Sequence, residues 1–253
     1  MNPRPTRPTA LEPILQRLFV AALVLGLSVE AKGNEDPPGP PSSDAENCAE
    51  GAIDAVQRRY RSIRDLSARF TQTTRSVALG NRPSSPVLES AGSVVFAKPG
   101  KMRWSYEQPD ESLVVSDGKI LWLYDPVHRE AQRLSVAQGE TLSGAAIQFL
   151  LGEGDIEGEF RVTVEFCDAA DARLELIPRR PASYEKLRIR TDPRSGEILA
   201  TTLVDLLGNV TEVSFTEIRS NLDPPSELFR FDPPSGVRVI DLDASRGAGG
   251  GRN

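Results

Sequence analysis

A single histidine, His128, serves the whole 253-residue chain, and that scarcity removes several chemistries at once. A serine or cysteine nucleophile activated by an imidazole would have to use His128. No Gly-x-Ser-x-Gly elbow accompanies it, and it sits in a turn-like Asp125-Pro126-Val127-His128 segment. No Cys-x-x-Cys or His-x-x-x-His spacing offers zinc ligands. No glycine-rich loop opens a helix to hold a phosphate. Paired carboxylates such as Asp110-Glu111 are expected by chance among 36 acidic residues, and they read as a solvated turn. A net charge of −6 supplies no global basic field for nucleic acid or an anionic membrane. These absences predict a non-enzymatic protein with no cofactor and no metal.

Long apolar runs are also scarce. Leu18–Val29 follows Arg4, Arg7 and Arg17 and ends near Val29-Glu30-Ala31, the layout of a secretory signal peptide with cleavage after Ala31. Its apolar core is too short for a permanent span, which needs about 20 residues. No cysteine follows the run directly, since the first is Cys48, so the expected mature protein is soluble in the periplasm and not lipid-anchored. Export places Cys48 and Cys167 in an oxidising compartment, where they can bridge; two buried free thiols are the alternative.

Residues 32–44 are polar and rich in Pro and Gly, which predicts a disordered linker. Over residues 45–64, Ala52, Ile53, Val56, Tyr60 and Ile63 fall at spacings of three and four and predict a helix, with Asp44 as its N-cap. Then the period becomes two. Leu66, Ala68 and Phe70 alternate with polar residues, 79–88 reads as a loop, and Ser93–Ala97 and Lys101–Glu107 read as strands. Asp117-Gly118 between Ser112–Ser116 and Lys119–Tyr124 is a strong hairpin signal. Strands follow at Arg161–Cys167, Arg173–Ile177, Glu185–Thr191, Glu197–Asp205 and Val210–Ile218. Tight turns at Asp192–Gly196 and Gly208-Asn209 separate the last three. Such a chain predicts an antiparallel meander that closes fully or partly into a barrel. A single domain over 45–243 is expected, and the tail 244–253 has nothing to bury and should be disordered.

Two segments complicate the pattern. Ser143–Gly152 is short, apolar and bounded by glycines, and it reads either as a movable lid helix or as a packed plug. Lys119–Tyr124 is apolar on both faces, with Ile120, Trp122 and Tyr124 on one and Leu121 and Leu123 on the other. Both faces must be covered, by an ordinary core or by a ligand.

Several segments, in order, resemble the periplasmic outer-membrane lipoprotein carrier family, LolA. They are Phe70-Thr71-Gln72, Lys98–Trp104, Pro109–Ser112, Ser116–Pro126 (SDGKILWLYDP) and Phe231–Val237, spread over roughly residues 50–240. The resemblance implies a mainly β fold with a few helices: an unclosed antiparallel β-barrel, covered by a helical lid, with a hydrophobic cavity between. It implies a monomer that takes lipidated lipoproteins from an inner-membrane LolCDE-type ABC transporter. The cargo would pass to an outer-membrane LolB-like acceptor where one exists. Elementary energetics agree with such a role. Each methylene exposed to water costs about 0.8 kcal/mol, so two or three acyl chains cannot cross the periplasm unshielded.

Strand parity then gives an expected lining of Phe70, Val94, Phe96, Met102, Trp104, Tyr106, Leu121, Leu123, Leu174 and Leu176, joined by Ile147, Leu150 and Leu151 from the apolar helix. Parity sets which residues share a face but not which face is concave. Members of this family usually carry an Arg before the Pro of the Lys-Pro-Gly-like turn, where it latches the lid through backbone carbonyls. This chain has Lys98 there, which implies a looser latch or a substitute, Arg103. Competing readings are a binder of another lipid or a lipoprotein sensor on the same fold, a filled envelope scaffold, and a lipid hydrolase. The last lacks its nucleophile constellation.

Overall fold

The computed structural model describes residues 43–77, 87–135 and 156–243. The expected signal peptide, nearly all of the linker, the apolar helix with Ile147, Leu150 and Leu151, and the tail lie outside the described residues. Helix α1 spans Ser43–Ser62, so it starts two residues before the sequence pattern suggests and Asp44 lies inside its first turn. Its stripe is the one the spacing predicts: Ala52, Val56 and Tyr60 are buried, and so is Ile63 just past the helix. Arg59 and Arg61 fall in the last turn, where positive charge suits the helix dipole.

Twelve strands follow: β1 (Asp65–Arg75), β2 (Leu88–Ala97), β3 (Lys101–Gln108), β4 (Ser112–Asp117), β5 (Ile120–Asp125), β6 (Glu130–Ser135), β7 (Phe160–Cys167), β8 (Ala172–Pro178), β9 (Tyr184–Thr191), β10 (Ile198–Asp205), β11 (Val210–Ser220) and β12 (Arg238–Asp241). They form one sheet in the order β12-β6-β5-β4-β3-β2-β1-β11-β10-β9-β8-β7. The edges, β12 and β7, do not pair, so the sheet is unclosed. All neighbours are antiparallel except β12, which lies parallel to β6. A short helix α2 (Ile156–Glu159) precedes β7, and a 3-10 turn (Ser226–Phe229) precedes β12.

The structure corrects the sequence pattern in three places. β2 begins at Leu88, at the end of the expected 79–88 loop and before the expected strand start at Ser93, and pairs with β1 through Gly92. β6, with Gln132 and Glu130 pointing inward, has no apolar alternation to announce it. β12 has only four residues and pairs with a strand more than a hundred residues away.

Strand register separates two faces. Leu66, Phe96, Met102, Ser116 and Leu121 are successive cross-strand partners, as are Ala68, Val94, Trp104, Val114 and Leu123. These lie on the inner face, against which α1 packs along β7 and β8. The outer face of β7–β9 is charged: Arg188 lies 2.8 Å from Glu165 and 3.1 Å from Glu175, and Lys186 lies 3.0 Å from Glu175. Burial works against ionising Glu175, but the Lys186 hydrogen bond and the two cations outweigh it and hold its carboxyl below the ordinary range. A depressed carboxyl contributes stability that is present above its unfolded pKa and lost as pH falls through the folded one. Glu175→Gln is therefore expected to remove part of the stability at pH 7 and to flatten the loss on acidification below about pH 4. Urea titrations across that window check it, and parallel curves would contradict it.

The outer face of β3–β5 is covered differently. After β11 the chain crosses it from Asn221 to Val237. The buried Asp65 carboxylate anchors the start, accepting Leu222 N at 2.7 Å and Asp223 N at 3.2 Å. Phe229 is buried with the Lys101 ammonium over its ring, and Phe231 packs on Trp122 and Tyr124 at 5.5 and 5.1 Å. Thus β5 is apolar on both faces because Leu121 and Leu123 meet the core while Trp122 and Tyr124 meet the crossover.

Candidate functional site

The inner face is the candidate site. Phe70, Val94, Phe96, Met102, Tyr106, Leu121, Leu123, Leu174 and Leu176 are buried in one apolar cluster, and Trp104 packs against it half-buried. At its centre four aromatic rings meet edge to face. Phe70 lies 4.8 Å from Trp104 and 5.1 Å from Tyr106, and Phe96 lies 5.8 Å from Trp104. Such contacts add about 0.5–1.5 kcal/mol each beyond area burial. Gly92 makes this cluster possible, because it is the cross-strand partner of both Phe70 and Tyr106 and leaves room for the rings to meet over it.

Strand parity alone misses much of the surface. Val56, Tyr60 and Ile63 of the α1 region, Ile156 and Phe160 around α2, and Ile189, Ile198 and Val213 belong to the same cluster. The three-and-four spacing in α1 is the available signal for the first group. Burial pushes the Tyr60 phenol far above its ordinary pKa, with the neighbouring Arg59 charge acting the other way, so the ring is neutral.

At one end of the strands the lining turns polar. Tyr106 Oη donates to Gln72 Oε1 at 3.2 Å, and the Thr74 and Thr211 hydroxyls sit 3.4 Å apart, all buried. At the other end α1 crosses the strand ends. Where it meets β1, β2, β10 and β11, Tyr60, Leu66, Phe96, Ile198, Phe215 and Ile218 line an apolar void of about 10 Å³. That is room for about one water-sized sphere. An acyl chain enters there only if a covering element moves.

Three contacts hold α1 down. Cys48, near its start, is disulfide-bonded to Cys167 at the end of β7, with Cα atoms 6.0 Å apart. Near its end, Lys98 Nζ donates to Tyr60 O at 2.6 Å, and Arg59 pairs with Glu197 beside β10. Lys98 opens the Lys98–Lys101 turn, whose Gly100 packs backbone to backbone against Gly118 of the β4–β5 hairpin, with positive φ at both. Lys98→Met should cost about 1–3 kcal/mol by removing this donor from a part-buried carbonyl. Chemical denaturation measures this, and an unchanged midpoint would show the contact to be incidental.

Arg103 does not substitute for this contact. It alternates with Met102 and Trp104, so it lies on the outer face, where Nη1 donates to Leu228 O at 3.1 Å and holds the crossover. An open outer cleft of about 610 Å³ beside it is lined by Arg103, Glu107, Glu111, Tyr124, Arg230 and Phe231 among others. His128 is half-exposed, with Nδ1 2.8 Å from Asp125, and no three His, Cys, Asp or Glu side chains group as a metal site among the described residues.

The profile of the outer membrane lipoprotein carrier protein LolA family matches residues 61–232, from the last residues of α1 through β11 and into the crossover. The chain belongs to the LolA family. Among relatives, an outer-membrane lipoprotein carrier protein of Nitrosomonas europaea is 34% identical over 199 residues, covering 75% of this chain and 88% of that one. One of Dechloromonas aromatica is 31% identical over 196 residues, with the same two coverages. A solved LolA superfamily structure from Nitrosomonas europaea is 15% identical, with a TM-score of 0.41, and covers 73% of this chain and 98% of that one. As in the family's expected architecture, the LolA sheet here is mainly β, unclosed, and helix-covered on its apolar face. Among the described residues, no helix is long and apolar enough to cross a membrane.

Proposed function

We propose that this LolA-family chain is a periplasmic, non-enzymatic carrier that holds the acyl chains of lipoproteins against its inner face. The observation that carries the reading is the continuous apolar inner face, closed over by an α1 held at both ends. Residues 1–31 act as the export signal and the following segment as a tether to a single domain ending near residue 243. The cargo comes from an inner-membrane LolCDE-type ABC transporter and goes to the outer membrane, through a LolB-like acceptor where one exists, and the carrier works as a monomer.

The lining comprises the ten strand residues from Phe70 to Leu176 together with Ile147, Leu150 and Leu151. Acyl chains displace the cover and take its place, so the apolar area lost in opening is regained from the cargo. Lys98 is the latch, its flexible ammonium on the Tyr60 carbonyl in place of a planar guanidinium fork. Nothing in the cycle requires a reacting group.

Uptake of a fluorescent fatty-acid probe tests the lining. Wild type is expected to bind the probe, and Trp104→Glu to lower its affinity at least tenfold, since a carboxylate among the rings must be desolvated. Trp104 is half-buried, so the variant should still fold, which circular dichroism verifies. Equal binding by both proteins would place the cargo elsewhere.

A further inference from the structure

The inner face is graded along the strands. On β1, Leu66, Ala68 and Phe70 give way to Gln72 and Thr74, and on neighbouring β11 Phe215 and Val213 give way to Thr211. β3 runs from Met102 and Trp104 to the hydroxyl of Tyr106. β5 runs from Leu121 and Leu123 to Asp125, and β6 from Leu134 to Gln132 and Glu130. Register aligns these changes, so all five strands turn polar towards the same end. Ser116 is buried at the apolar end, but its oxygen is spent within the β4–β5 turn, accepting Gly118 N at 3.1 Å.

A polar rim standing in water would be ordinary, but this one is buried. Gln72, Thr74, Thr211, Asp125, Glu130 and Gln132 are each at most 6% exposed. Buried polar groups cost stability unless they are hydrogen-bonded. The charged members are closed on themselves: Glu130 takes Arg238, and Asp125 takes His128 N and Nδ1. The neutral members are engaged more loosely. Gln72 Nε2 lies 3.5 Å from Thr74 Oγ1, and the Thr74 and Thr211 hydroxyls are 3.4 Å apart, both long for hydrogen bonds. Whichever threonine donates, the other's hydrogen is not used within the pair. Gln132 gives one amide hydrogen to Glu130 at 3.1 Å. Among the described residues its side chain makes no second hydrogen bond, although its amide has another hydrogen and a carbonyl oxygen to offer.

This belt therefore presents neutral hydrogen-bond donors at the end of an apolar trough. The groups that suit it are uncharged carbonyl oxygens joined to hydrocarbon, the ester and amide carbonyls where acyl chains meet a lipid head. Such carbonyls lose their water when the chains are buried and need a donor inside. A free fatty acid would instead bring a carboxylate towards Asp125 and Glu130, whose cations are already taken.

We propose that the inner face holds its cargo in one orientation. The acyl ends lie where Leu66, Phe96 and Phe215 line the void under α1, and the ester and amide carbonyls lie at the belt of Gln72, Thr74, Tyr106, Gln132 and Thr211. The belt selects esterified over free fatty acyl groups. This deepens the carrier reading and rests on it.

The test uses the whole chain and a tripalmitoyl-cysteinyl peptide with a diazirine either at an acyl terminus or beside the glyceryl esters. After photolysis, residue-level mass spectrometry should find the terminal diazirine on and around Leu66, Phe96 and Phe215, and the glyceryl one around Thr74 and Thr211. The reverse pattern, or one pattern from both probes, would overturn the orientation and leave the carrier reading standing. No mark on the inner face from either probe would overturn both. Thr74→Val/Thr211→Val replaces both hydroxyls of the pair by methyls of similar shape, so the fold should survive. The variant should bind the lipopeptide at least about fivefold more weakly and bind a pyrenyl alkane, which has no ester, as wild type does. Equal loss for both ligands, or loss for neither, would overturn the role of the belt. Methyl palmitate should displace the pyrenyl alkane at lower concentration than palmitate does, and equal displacement would overturn the selection for esters.

Discussion

Reduction of the Cys48–Cys167 disulfide, or its replacement by Cys48→Ser/Cys167→Ser, is expected to lower the unfolding free energy by about 4–5 kcal/mol. The bond spans a sequence separation of 119 residues, and closing so long a loop removes a large share of the unfolded chain's freedom. The loss should be visible in the folded state too. The disulfide fixes the start of α1 to the end of β7, while Lys98 and Glu197 hold its other end. Freed at one end, α1 would open more often, so the serine variant should take up a fatty-acid probe faster than wild type even where it is folded. Urea denaturation with and without reductant measures the first effect and stopped-flow fluorescence the second. Coincident denaturation midpoints would show that the bond adds nothing to the packing around it.

Gly92→Ala is expected to cost about 3 kcal/mol or more, and Gly92→Val to prevent folding. Alanine is ordinarily the better residue in a regular element by about 0.5–1 kcal/mol, so geometry alone decides the sign here. A Cβ at Gly92 would lie 2.0 Å from Ser105 O and 2.9 Å from Ser105 C, both backbone atoms of the neighbouring strand. Relief requires parting β2 from β3, beneath the Phe70–Tyr106 contact. The variant should lose near-ultraviolet signal from Trp104 before it loses strand content. A stable Gly92→Ala protein with wild-type aromatic signal would show that the strands part without disturbing the rings.

The same glycine explains where sequence reading stops. Period-two alternation and turn signals locate β1, β3 and β8–β11 closely, and the Asp117-Gly118 turn locates β5, which is apolar on both faces. It also groups eight of the ten proposed lining residues, since register carries a shared face across β1–β5 with one shift at Ala91/Gly92, while Leu174 and Leu176 share theirs with Ile189 and Leu187 across β8 and β9. Gly92 interrupts the alternation, so half of β2 is illegible although its pairing with β1 is regular. β6 is illegible because its inner positions are Glu130 and Gln132, buried through Arg238 and through each other. Long-range partners of that kind leave no local trace. The crossover is visible only as a family motif around Phe231, and its work in covering Trp122 and Tyr124 emerges from packing. Arg103 shows the limit of parity used carelessly: one position from Met102 and Trp104, it must face the other way.

Release from membranes measures most directly whether the inner face shields lipoprotein acyl chains. Residues 32–253 would be added to proteoliposomes holding an inner-membrane lipoprotein transporter, ATP and a labelled triacylated lipoprotein. The lipoprotein is expected to leave the vesicles as a soluble one-to-one complex with this chain, and Trp104→Glu to abolish its appearance. Lipoprotein that stays with the vesicles at every concentration of the wild-type chain would contradict it.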